Sequence, residues 1–226
     1  MKLNILYAID GRQELPEIEL THLAGHGGAQ PVRIGNQAYE QVQLDIFGEL
    51  MDAIYLVNKY GEAISHEGWQ HTVEVIDQVC ETWEQKDVGI WEMRGEQYHF
   101  LHSRLMCWVA LDRAIRLASK RSLPAPFARW DQTRQAIHAD IWENFWDEER
   151  GHFVQHIGGT GLDGSMLLMP LVRFVSARDP RWLATLQAIE KSLVRDGMIY
   201  RYRNDDSQID GLPGTEGAFA ACSFWY

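Results

Sequence analysis

The chain has 226 residues, 46% of them hydrophobic, 11% aromatic and 23% charged. That is a folding composition, and a domain of this size buries roughly 70% of its unfolded surface. Acidic residues outnumber basic ones 32 to 21, a net charge of −11. Such a field repels nucleic acid. No run of about 18 apolar residues offers a membrane span. The three cysteines, Cys80, Cys107 and Cys222, are widely spaced and odd in number. They suggest neither a disulfide framework nor a zinc cluster, and a reducing, cytoplasmic setting is the simplest reading. The first ten residues lack the apolar core and cleavage site of a signal peptide.

The first 36 residues read as loop, punctuated by Gly11, Pro16, Gly25, Gly27, Gly28, Pro31 and Gly35. A helix is expected from near Gln37 to Gly61, because Leu44, Phe47, Met51, Ile54 and Tyr55 recur at three- and four-residue steps. A second is expected over Glu67 to Trp83. Gly89 and Gly95 then bracket Ile90-Trp91-Glu92-Met93-Arg94, which reads as a small extended turn between helices. Further helices are expected over Ser103 to Ser119, Phe127 to Trp146, Gly164 to Val175 and Pro180 to Arg195. Asp196-Gly197 signals a turn, with Gly151 to Phe153 and Ile199 to Tyr202 as short strands. No strand precedes each helix, so a doubly wound α/β plan is excluded. A helical toroid or bundle fits: the fold class is all-α.

Two carboxylates occupy unusual settings. Glu92 follows Trp91, whose indole would partly desolvate it and favour a protonated general acid. In an extended stretch Glu92 and Arg94 share a side, so a surface hairpin with an ordinary Glu–Arg pair is the bland alternative. Glu216 lies in Pro213-Gly214-Thr215-Glu216-Gly217, where glycines allow close approach to a ligand. The alternative there is a helix start capped by Thr215. Trp91 and Trp225 offer aromatic faces suited to sugar rings. His22, His26, His99 and His102 lack ligand spacing, and Gly158-Gly159-Thr160-Gly161 lacks the lysine of a phosphate loop.

Pro31-Val32-Arg33-Ile34-Gly35-Asn36, Gln41-Val42-Gln43-Leu44-Asp45, Gly89 to Gly95, His102-Ser103, Asp112-Arg113-Ala114 and Pro213 to Trp225 together resemble glycoside hydrolase family 15, in order along the whole chain. That family holds glucoamylases, glucodextranases and trehalases. The resemblance implies an (α/α)6 toroid and inverting hydrolysis of α-glucosidic bonds. Glu92 falls at the general acid and Glu216 at the general base, with no metal or organic cofactor. Inversion requires the two carboxyls to stand about 6.5–9.5 Å apart. Trp91, Arg94, Arg33, Asn36 and Trp225 are the expected substrate contacts, and the substrate a glucose oligosaccharide or disaccharide. Relative to the family pattern, residues 1–226 read as the central part of one catalytic domain. The N-terminal β-sandwich and the first and last helices are expected to be absent and the toroid open. A non-catalytic, sugar-binding toroid and another helical-toroid enzyme, such as a phosphorylase, are the competing readings.

Overall fold

The computed structural model of the protein describes residues 3–203 and 217–226. Among them are seven α-helices: α1 (Ile46–Tyr60), α2 (His66–Thr82), α3 (Leu101–Arg121), α4 (Phe127–Asn144), α5 (Leu168–Leu171), α6 (Pro180–Leu193) and α7 (Ala220–Trp225). Six two-residue strands pair antiparallel as β1 (Ile18–Glu19) with β2 (Arg33–Ile34), β3 (Trp146–Asp147) with β4 (His152–Phe153), and β5 (Val194–Arg195) with β6 (Met198–Ile199). Strands this short decorate a helical body, as the absence of alternating runs predicts.

Helix α3 is the axis of the packing. It lies against α1, α2 and α4, and Leu101 through Ala114 are almost wholly buried around its circumference. A helix buried on every side lies inside a domain, and the polar residues it carries, such as Asp112 and Arg113, are paired there. α1 reaches it closely at Gly48: a Cβ there would sit 2.3 Å from the Met106 carbonyl oxygen. α2 begins at Ser65, whose side chain accepts from the Gly68 N–H at 3.0 Å. α3 ends at Ser122, in the left-handed region, after Lys120 and Arg121. Cations there complement the negative end of the helix.

Three expected elements differ. The helix anticipated from Gln37 starts only at Ile46. Asn36 caps a single 3-10 turn, Gln37–Glu40, by accepting from Ala38 N–H, and the chain then runs extended. Val42 and Leu44 bond to Val88 and Asp87 of the following loop rather than to a helix. The helix anticipated over Gly164–Val175 is a 3-10 turn, Gly164–Leu167, followed by the one turn of α5. Pro170 lacks the N–H needed to continue it, and Arg173 leaves in the left-handed region at φ 68°. The last hairpin pairs Met198–Ile199 rather than Ile199–Tyr202, because Asp196 and Gly197 both take positive φ and close a tight two-residue turn.

Candidate active site

The Glu92 loop is a closed structure. Asp87 and Tyr98 exchange backbone hydrogen bonds at its base, both 3.0 Å. Leu44 N–H and the Ser103 hydroxyl donate to the Asp87 carboxylate at 2.8 and 2.6 Å. Gly89 turns at φ 68°, where a Cβ would press on the Phe100 ring at 3.0 Å. Met93 is buried beneath the loop and Glu92 is exposed on it. Glu92 takes φ 54°, a left-handed conformation costly for a residue with a side chain. The other such non-glycine residues among those described follow a helix (Ser122, Arg173) or lie in a hairpin turn (Asp196).

The extended-turn expectation is therefore corrected. The chain at Glu92 is a left-handed turn, so Glu92 and Arg94 are not set on one side by a strand. Nor is Glu92 desolvated by Trp91. Arg94 pairs instead with Glu17, at 3.1 Å, and Arg33 reaches the same Glu17 at 3.8 Å and Glu19 at 3.0 Å. Asn36 is occupied as the cap of its turn. Glu17 thus gathers Arg33 and Arg94 beside the loop, and Gln41 donates to the Met93 carbonyl at 3.3 Å.

Trp91 turns the other way. Its indole N–H donates to both oxygens of buried Asp163, at 3.0 and 2.9 Å. Gln155 and the Ser165 N–H donate to the same carboxylate, each at 2.7 Å. The ring meets Phe219 edge-on at 5.5 Å and lies 6.3 Å from Trp225 at a 32° tilt, with the Arg201 guanidinium 5.2 Å from its centre. Glu216 lies outside the described residues, but Phe219, three positions on, touches Trp91. The loop bearing Glu92 and the segment following Glu216 therefore meet at Trp91, through the rings of Phe219 and Trp225. Local sequence gives no sign of Asp163, because its Trp91 partner lies 72 residues away. Among the described residues, no group of three or more His, Cys, Asp or Glu side chains is placed to hold a metal ion. No helix there is long and apolar enough to cross a membrane.

A helical body whose connecting loops carry the polar and aromatic side chains is the build of an (α/α)6 toroid, and the solved structures it resembles bear this out. A glycosidase solved with bound glucose superposes with a TM-score of 0.64 at 21% identity, covering 77% of this chain and 48% of that one. Glucoamylase from Saccharomycopsis fibuligera gives 0.55 at 14% identity over 66% of this chain and 37% of its own. The profile of glycosyl hydrolases family 15 matches residues 1–226, and the chain belongs to that family. It is 43% identical over 223 residues to a trehalase of Mycobacterium tuberculosis, which covers 99% of this chain and 32% of that protein. The chain thus spans about a third of the length of that relative.

Proposed function

We propose that the protein hydrolyses an α-glucosidic bond with inversion, Glu92 protonating the departing oxygen and Glu216 activating water. The Trp91–Phe219 contact supports this reading, because it joins the Glu92 loop to the segment that follows Glu216 in sequence. The left-handed turn at Glu92 supports it, since backbone strain tends to persist where function requires it. Exposure leaves the Glu92 carboxyl free to meet a substrate. Trp91 and Trp225 supply aromatic surface for a sugar ring, and Arg94 of the same loop shares Glu17 with Arg33; Asn36 remains an expected contact from the family pattern alone. The substrate class is a glucose-containing disaccharide or oligosaccharide. Trehalose is the first to test, because the similar curated proteins are trehalases. Three free thiols, two of them buried, fit a reducing compartment.

α-Glucosyl fluoride separates the roles. Its leaving group needs little protonation, so Glu92→Gln should lose about 10²–10⁴-fold on trehalose and much less on the fluoride. Glu216→Gln should lose both. Proton NMR of the fluoride reaction should show β-glucose first. Initial α-glucose would mean retention and make Glu216 a nucleophile rather than a base. Binding of glucose or trehalose without any turnover would favour the non-catalytic reading.

A further inference from the structure

Asp163 holds a position that the hydrolytic roles do not use. It is 3% exposed, and three N–H donors surround its two oxygens: the Trp91 indole, the Gln155 amide and the Ser165 backbone. No cation among the described residues forms an ion pair with it. A buried carboxylate is retained only where its hydrogen bonds are well made, and shared donors of this kind fix the geometry of whatever donates. Two of the donors belong to its own neighbourhood, Ser165 in the turn that Asp163 caps and Gln155 in the preceding extended chain. The third comes from the Glu92 loop.

The turn that Asp163 caps is itself pinned. Gly164 N–H donates to the Arg201 carbonyl at 2.6 Å, and a Cβ at Gly164 would meet Cys222 Sγ of α7 at 2.8 Å. Asp163 therefore stands where the segment at 201 and α7 close against the turn. Its bond to Trp91 ties the Glu92 loop to that junction. With the indole edge held by Asp163, the ring has one orientation in which its other edge and face meet Phe219, Trp225 and Arg201.

We propose that Asp163 is a positioning residue: by fixing the Trp91 indole it sets the Glu92 turn against Phe219 and α7. This rests on the reading of Glu92 and Glu216 as acid and base. Misplacing a catalytic group by about 1 Å can cost on the order of 10²-fold in rate.

The test is a double-mutant cycle with a spectroscopic readout. Asp163→Asn keeps the size but turns an N–H₂ toward one of the three donors. Trp91→Phe keeps a ring and deletes the indole N–H. The Trp91 indole resonance in a ¹H–¹⁵N spectrum is identified as the peak missing from Trp91→Phe. In Asp163→Asn it should move upfield, and its contacts to the Phe219 ring should weaken. Turnover of trehalose should fall about 10–100-fold in each single variant, with the double variant no worse than Trp91→Phe alone. An unmoved indole resonance overturns the proposal. So does a further loss on adding Asp163→Asn to Trp91→Phe, which would mark a role in general folding. If Asp163→Asn does not fold, Asp163→Glu keeps the charge; a native indole shift with native turnover despite the added methylene would equally overturn it. Full activity in Glu92→Gln would instead overturn the acid assignment, and the indole readout would still decide whether Asp163 orients Trp91.

Discussion

Asp45 and His102 face each other inside the protein, Oδ2 to Nε2 at 3.7 Å, too long for a hydrogen bond. The other Asp45 oxygen and both ring nitrogens have no hydrogen-bond partner. Burial, with Asp87 and Glu49 adding their charge, pushes the Asp45 carboxyl up to about 7, and burial pushes His102 down to about 4. Between about pH 4 and 7 the folded chain keeps a proton on Asp45 that the unfolded chain has released. That contribution to stability is full below about pH 4 and is lost as pH rises toward 7. His102 works oppositely. The unfolded chain takes up a proton below about 6.5 that the folded chain refuses until about 4, so its contribution is lost as pH falls through that window. The two slopes cancel between about pH 4 and 6.5. Asp45→Asn should therefore unmask a stability that climbs with pH there, by roughly 1 kcal/mol per unit. His102→Gln should unmask one that falls by a similar amount. Urea midpoints across that range measure both, and three parallel curves would refute the assignment. At this scale the sequence was uneven as a guide. Glu92 and Trp91 stood out because glycines frame them. The burial of Asp45, His102 and Asp163 did not, because it is conferred by residues far along the chain.

Helix positions were legible wherever an apolar stripe met an end signal. α2 and α6 lie within a residue or two of expectation, and Ser65 and Asp179 cap them through their side chains. Periodicity misled over residues 37–45, where Leu44 fits the stripe of α1 but its N–H is claimed by Asp87. A helical period shows which face is apolar, not which backbone groups find partners elsewhere. Nor does it show how close two helices come. Gly48 decides that for α1 and α3. In an isolated helix Gly→Ala stabilises by about 1 kcal/mol. Here the methyl would overlap the Met106 carbonyl oxygen and carbon at 2.3 and 2.8 Å and its Cβ at 2.7 Å, none of them the far end of a flexible side chain. Overpacking of this kind costs about 1–3 kcal/mol and more against backbone, so the clash outweighs the propensity. Gly48→Ala should lower the thermal midpoint, whereas Gly68→Ala in α2, where the nearest contacts are side-chain atoms at 3.2 Å, should change it less. Equal midpoints for the two variants would mean that the α1–α3 crossing relaxes freely.

A charge cluster in the C-terminal half of α3 joins several of the described elements. Asp112, with a side chain only 2% exposed, receives Arg113 at 2.7 Å, Arg116 at 2.7 Å and Arg134 of α4 at 3.2 Å. Arg113 continues to Asp52 of α1 at 2.6 Å and to the Val172 carbonyl after α5 at 3.0 Å. One carboxylate thereby connects α1, α3, α4 and the α5 turn. Asp112-Arg113-Ala114 is prominent in the sequence only as part of a family resemblance; that it is a junction depends on Arg134 and Asp52, which no local pattern links to it. Such a buried network adds little over a well-packed apolar substitute, yet removing one partner strands the others. That typically costs about 3–5 kcal/mol. Asp112→Asn should fall in that range, because Arg113, itself only 9% exposed, would keep a single carboxylate in Asp52. The manner of the loss is as informative as its size. If apolar packing around α3 also holds the helices as one unit, the variant should still unfold in a single step at lower denaturant, with far-ultraviolet circular dichroism and tryptophan fluorescence coinciding. Nine tryptophans are spread along the chain, with Trp69, Trp108, Trp130 and Trp182 buried in α2, α3, α4 and α6, so the fluorescence reports tertiary packing across these helices while the dichroism reports the helices themselves. Two separated transitions in Asp112→Asn, with one in the native chain, would mean that Asp112 supplies the coupling itself. A small loss of stability with coincident curves would mean that the apolar packing around α3 unites the helices without it.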